Sequence, residues 1–517
     1  MERDDKENGP IVDFPVETYI DKSECQQPEF IKKYKADGRG TIIAILDTGV
    51  DPSLKSLNET SVGHRKILDL IDCSGAGDVD TSTVKKASQE RELIGLTGRT
   101  LKIPEGWQNP TNKWHIGIKP IYELYPKSLR KIVKDEWQKL TWDSAHQLAK
   151  SDALRLLQKH EESVGGFSDD VKDKHERENL ASKLEFLKSM DKLEDKGPVA
   201  DCIVWNNGEI WQACIDTSFR GRLKLCKALG DFRYTSNYAK ISDRDEASYS
   251  VRIENAGNRL EICLASGAHG SHVACIAAAY EESRPNTSGL APGAQIISMM
   301  IGDNRIDSME TGTAIIRALN ICADIGVDVV NMSFGEGSHF PASGRIIEEI
   351  QRLVYQHNVV FVSSAGNSGP ALSTVGSPGG TTPGVIGVGA HISAKQAEPL
   401  YGVHDDVMDY SYPWSARGPC TDGSLGVSLC AVGAAFAEVP RYCRKSRQVM
   451  NGTSMSSPNV AGAVACLLSK LRADNIEWSA FLVRLALENT AKKEFCEARD
   501  LFATGNGVIQ VVLLVFL

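Results

Sequence analysis

Four short apolar runs, residues 41–47, 295–301, 327–334 and 359–365, constrain this chain more than any other feature. Each is rich in Ile, Val or Met, and helical spacing fills the stretches near 310–325 and 343–356. Near-continuous apolar runs suit strands buried on both faces, and their alternation with helices predicts an α/β fold with a parallel sheet covered on both sides. Such a sheet delivers the residues that follow its strands to one ligand-binding edge. The first run ends in Asp47-Thr-Gly and the last in Ala-Gly-Asn367-Ser-Gly, so an acid and an amide are expected there. Either is also an ordinary turn residue.

The stretch Asn451-Gly452-Thr453-Ser454-Met455-Ser456-Ser457-Pro458 enters a small apolar run, 460–468, that reads as a buried helix. Hydroxyl residues ahead of such a run mark a helix start, with Pro458 placed in the first turn. Ser454 is then at a helix N-terminus, where free amides and the helix dipole favour a developing oxyanion, and Gly452 leaves room for a substrate backbone. His269, in Ser266-Gly-Ala-His269-Gly-Ser-His272, opens another small-residue helix and is the candidate general base. His272 lies one turn on and is assigned a structural hydrogen bond; with no third ligand or nearby Glu, the pair makes a poor metal site.

The chain has 517 residues, enough for two to four domains, and a net charge of -9, which argues against nucleic acid as the main partner. Lys, Glu and Asp dominate 127–196, followed by a hairpin signal, two strands around Asn206-Asn-Gly-Glu. This predicts an inserted α+β subdomain over 75–255, between 1–74 and 256–510, with an atypical apolar tail at 511–517. The charged opening residues lack the apolar core of a secretory signal. No run reaches the ~20 apolar residues of a membrane helix. The 13 cysteines show no metal spacing or disulfide framework. A cytoplasmic location, with no cofactor, metal, nucleic acid or membrane partner, is the expectation.

Asp47, His269 and Ser454 occur in that order, with Asn367 between the last two. A serine needs an imidazole to take its proton, the imidazole needs a carboxylate to fix its tautomer, and the tetrahedral intermediate needs hydrogen-bond donors. With Asp-Thr-Gly, His-Gly-Ser-His-Val-Ala, Ala-Gly-Asn-Ser-Gly and Gly-Thr-Ser-Met-Ser-Ser-Pro all in order, the chain resembles the subtilisin-like serine peptidases over roughly 38–72 and 260–510. The resemblance implies a subtilisin-like sheet, Ser454 as nucleophile, His269 as base, Asp47 as its orienting acid and Asn367 as oxyanion donor beside the Ser454 amide. It also implies that the strand bearing Ser333, Phe334 and Gly335 pairs with an extended peptide.

The separation of 222 residues from Asp47 to His269 exceeds what most of that family has. Together with Ser308-Met-Glu310-Thr-Gly-Thr and Ser333-Phe-Gly-Glu336, they resemble the family's branch that removes tripeptides from free N-termini. That branch implies Glu310 and Glu336 as binders of the substrate amine, and homo-oligomers in its longer forms. Asp307-Ser-Met-Glu310 is equally a capping box at a helix start. An incompetent fragment that binds partners or peptides, and a plain endopeptidase, are the alternative readings. The apolar tail is expected to form an exposed patch.

Overall fold

The computed structural model of the chain describes residues 19–337, 343–403, 409–493 and 501–512. The charged opening residues 1–18 and the last part of the apolar tail, 513–517, lie outside them. Eight strands make the main sheet, in the order Ile67–Asp72, Gln295–Met300, Ile42–Asp47, Val329–Met332, Val360–Ser364, Ile386–Ile392 and Tyr410–Ser411, with Leu429–Val432 also paired to Ile386–Ile392. All pairings are parallel except that of Tyr410–Ser411. The central strand sets the register: Ile42 lies opposite Gln295 and Asp47 opposite Met300. Ile43, Ala44, Ile45 and Leu46 are all fully buried, as a strand covered on both faces requires.

The helix Thr453–Ala473 packs on this sheet and is buried almost all round from Met455 to Ser469. Fully burying a Leu or Val side chain contributes roughly 1.5–3 kcal/mol, so Val460, Val464, Leu467 and Leu468 anchor this helix strongly. Its N-cap is Gly452, and Pro458 falls beyond the first turn, at the sixth helical residue. A proline there cannot donate to the carbonyl four residues back, that of Ser454. The Ser333 hydroxyl takes the vacant place, donating to Ser454 O at 3.1 Å.

Some boundaries differ from those the sequence suggests. The run 327–334 is a strand only over Val329–Met332, because the Ser333 carbonyl and hydroxyl turn to the serine helix. The helices expected from 310 and 343 begin at Gly312 and Arg345. The apolar end is not an exposed patch as far as Val511: Val508, Ile509 and Val511 are buried, and the Val511 amide donates to Cys25 O at 3.0 Å. This segment is laced to the core by backbone pairing with Lys492 and Cys430, which removes its apolar surface from water.

Between the Ile67–Asp72 strand and the His269–Ala278 helix stand two antiparallel sheets of five and four strands and the helices Lys127–Trp137, Asp143–Ser163 and Val171–Ser189. The hairpin at Asn206-Asn-Gly-Glu joins the strands Val199–Asn206 and Trp211–Ile215. A hydrophobic cluster around Ile121, Val204, Tyr249 and Val251 belongs to this region. Fully buried Glu261 fastens it to the main sheet, accepting from the Asp72 amide (2.8 Å), Arg252 (3.3 Å) and Arg317 (3.0 Å). Among the described residues no helix is long and apolar enough to cross a membrane.

Candidate active site

Asp47 closes the central strand and is wholly buried. One carboxylate oxygen accepts from the Thr48 amide at 2.7 Å, which turns the acid toward the helix opened by His269. His269 Nδ1 lies 2.8 Å from Asp47 Oδ1 and 3.0 Å from Oδ2. An ionised carboxylate only accepts, so Nδ1 carries the proton and Nε2 keeps its lone pair. Burial pulls the imidazolium pKa down, but the Asp47 charge and hydrogen bond outweigh it and leave His269 above its ordinary value. The edge of the ring meets Phe334, with centroids 5.9 Å apart.

Ser454 is the second residue of its helix, and its hydroxyl donates to Ser333 O at 3.2 Å rather than to His269. Catalytic hydrogen bonds are often absent from a resting site and form only with substrate bound. The Ser454 amide has no hydrogen-bond partner among the described residues. Asn367 follows the Val360–Ser364 strand, and its Oδ1 accepts from Thr453 N and Thr453 Oγ1, each at 3.0 Å. The carbonyl end is therefore the one held, and Nδ2 is the free donor. A Cβ built on Gly452 would stand 3.5 Å from both Asn367 Nδ2 and Ser454 N. The missing side chain at 452 thus leaves an atom-sized cradle between two donors, the shape an oxyanion needs.

Glu310 lies on a two-residue strand, Met309–Glu310, paired to Gly302–Asp303. The capping-box alternative for Glu310 falls away, because the helix that follows is capped by the Thr311 hydroxyl, which accepts from Ala314 N at 3.2 Å. Burial, then the Glu336 and Asp47 charges, push the Glu310 carboxyl upward, while a backbone hydrogen bond opposes them. Glu336 is exposed and held by its backbone, which exchanges hydrogen bonds of 3.0 and 2.7 Å with Ser377. Glu310 therefore feels both Glu336 and the acid of the His269 pair. Gly335 is exposed beside them, past the end of its strand.

Sequence reasoning missed the support behind Glu310. The loop between its two strands holds Asp307 and Ser308 at φ of 60° and 65°, a left-handed conformation costly outside glycine. Arg130 and Lys127, from the region between Asp47 and His269, bind Asp307 at 2.8 and 2.9 Å, and Asn304 Nδ2 donates to Leu124 O at 2.7 Å. No spacing pattern links residues so distant in the chain. His272 has the structural role expected of it: buried, and held near pKa 4 chiefly by burial, its Nε2 lies 3.1 Å from Ala435 O and 3.0 Å from Gln448 O.

This geometry can be set beside known proteins. The chain is 53% identical over 493 residues to Tripeptidyl-peptidase 2 of Caenorhabditis elegans, covering 95% of this chain and 36% of the relative. It is 42% identical over 524 residues to Tripeptidyl-peptidase 2 of Arabidopsis thaliana, covering 98% and 38%. A crystal structure of Tripeptidyl Peptidase 2 matches with a TM-score of 0.71 and 33% identity over 97% of this chain and 37% of that one. The chain thus spans little more than a third of the length of these relatives. A family model described as the subtilase family matches residues 38–507, a span that includes Asp47, His269, Asn367 and Ser454: the chain belongs to the subtilase family.

Proposed function

We propose that this chain is the catalytic part of a serine exopeptidase that releases tripeptides from the free N-termini of oligopeptides. Ser454 attacks the scissile carbonyl after turning to give its proton to His269 Nε2, and His269 then hands that proton to the leaving amine. Asp47 holds the imidazole tautomer and stabilises the imidazolium. Asn367 Nδ2 and the Ser454 amide receive the oxyanion in the cradle at Gly452. Ser333, Phe334 and Gly335 line the path of the extended peptide, and Glu310 with Glu336 receive its ammonium group.

The observation that carries the exopeptidase reading is Glu310, half-buried and within electrostatic reach of both Glu336 and Asp47. Three extended residues span at most ~10–11 Å. Carboxylates that far from the serine fix the cut by stopping the chain end, and an ammonium without an anionic partner is costly to bury. The name borne by the similar relatives points the same way. The region 75–255 is read as a brace for the Glu310 loop, and assembly into homo-oligomers is proposed for the longer form. A cytoplasmic setting accords with the twelve cysteines among the described residues, all of them free.

The test uses a free-amine tripeptide-linked reporter, its acetylated analogue and a serine-directed phosphonylating reagent. Cleavage of the free amine alone, with labelling at Ser454, is the expected result. Equal cleavage of both reporters would make the chain an endopeptidase. Failure to label Ser454 would leave a binding fragment.

A further inference from the structure

At the sheet edge opposite the insert, three side chains from separate parts of the chain converge. A carboxylate oxygen of Glu24, a ring nitrogen of His391 and a carboxylate oxygen of Asp409 all lie within 4.8 Å of one another. His391 is buried on the Ile386–Ile392 strand at 1% exposure, and the two acids are half-buried. Asp409 uses Oδ1 to accept from Ala394 N at 2.8 Å, which leaves its second oxygen for another partner. Asp21, 7% exposed, adds an independent sign: Oδ1 is taken by the Ser23 amide and hydroxyl, while Oδ2 is buried with no hydrogen-bond partner. Its charge acts on both Glu24 and His391.

Three carboxylates around one imidazole make a local excess of negative charge. His391 is buried, and imidazole in its neutral form ligates metals.

We propose that Glu24, His391 and Asp409 form a divalent-metal site of the zinc or manganese class, with Asp21 in reserve, that staples the N-terminal turn to the sheet edge behind the nucleophile. The donor set selects the class. Imidazole suits the transition ions, carboxylates suit manganese and zinc, and calcium takes oxygen ligands alone. The staple bears on catalysis through two hydrogen bonds: His391 O accepts from Gly433 N at 2.8 Å, and Gly433 O accepts from Gly452 N at 2.9 Å, two residues before Ser454. On its other side, Glu24 O accepts from Gln510 Nε2 at 2.7 Å, so the closing segment of the fold rests on the same turn.

The proposal is tested on the chain stripped with chelator and titrated with Zn2+ by calorimetry, then with Co2+ followed by visible absorption. One ion per chain is expected, with a Co2+ band from nitrogen–oxygen ligation and a higher unfolding midpoint on Zn2+ addition. Glu24→Gln and Asp409→Asn, which keep the shapes and the acceptor for Ala394 N, should each weaken binding at least tenfold and leave metal-free activity unchanged. His391→Gln should abolish the Co2+ band. Absence of stoichiometric binding in the parent chain, or affinity and a thermal shift that the two carboxylate variants leave intact, would overturn it.

Discussion

Thr453 grips Asn367 with both of its donors, N–H and hydroxyl each 3.0 Å from Oδ1. The hydroxyl in turn accepts from Gly366 N at 3.2 Å, so the amide cannot flip without breaking a closed set of hydrogen bonds. Its Nδ2 is thereby committed to the cradle beside Gly452.

Asn367→Ala should lower kcat roughly 10²–10³-fold, the loss of about 2.7–4 kcal/mol typical of one oxyanion donor, with KM little changed. Gly452→Ala should match it in rate at unaltered thermal stability: the backbone there is extended, at φ 162°, and the added methyl meets its neighbours at ordinary contact distance while filling the oxyanion position. Steady-state kinetics beside thermal unfolding decide both. Full activity in Gly452→Ala would empty the cradle of meaning.

As the proposed base His269 acts only when neutral, and Asp47 raises its pKa above the usual 6.5. On the acid side kcat/KM should therefore fall about tenfold per pH unit, from a midpoint above 6.5. Asp47→Asn should move that midpoint downward and cost on the order of 10⁴ in kcat. A parent profile with its acid limb centred below 6.5 would contradict the geometry.

The placement of the candidate residues was legible because each sits where a simple local rule puts it: Asp47 after a β-branched run, His269 and Ser454 at the mouths of small-residue helices, Asn367 in a glycine turn. The strands around residues 41–47, 295–301 and 359–365 were legible for the same reason, since burial on both faces leaves one composition. Supports that join distant parts of the chain carry no such trace. The Asn304–Leu124 and Arg130–Asp307 links, the grip of Thr453 and the Glu24–His391–Asp409 cluster depend on tertiary approach alone. Pro458 was misplaced because its lost donor is replaced by Ser333, a partner that no local pattern names.

Glu310→Gln and Glu336→Gln should each raise KM for free-amine tripeptide reporters roughly tenfold, about 1.4 kcal/mol, and leave the acetylated analogue untouched. Because the Glu310 pKa is raised, its carboxylate is present above that pKa and lost as pH falls through it, so preference for the free amine should shrink toward acid pH. Competition between the two reporters across pH measures this.

Asn304→Ala removes the donor to Leu124 O and frees the loop whose strained residues hold Glu310 in place. The expected effect is a higher KM for free-amine reporters at nearly constant kcat, with labelling of Ser454 unaffected. A fall in kcat with KM unchanged would mean that the brace serves the triad instead.

Ser333→Ala strands the Ser454 carbonyl and should cost about 1–3 kcal/mol of stability. In the double variant with Pro458→Ala, residue 458 regains an N–H for that carbonyl, and part of the loss should return. A double-mutant cycle by denaturant unfolding reads the coupling directly; strict additivity would refute the substitution of one donor for the other.

The buried imidazole of His272 sits one turn beyond the base, yet what it holds is the hairpin formed by Ala434–Glu438 and Arg447–Asn451, the strand that feeds straight into Gly452. A single ring nitrogen, shared between two carbonyls, thus keeps the helix opened by His269 in step with the strand that leads to Ser454. Proton transfer tolerates only small errors of position, so in the proposed mechanism the alignment of the chemical step depends on a buried histidine that takes no part in it.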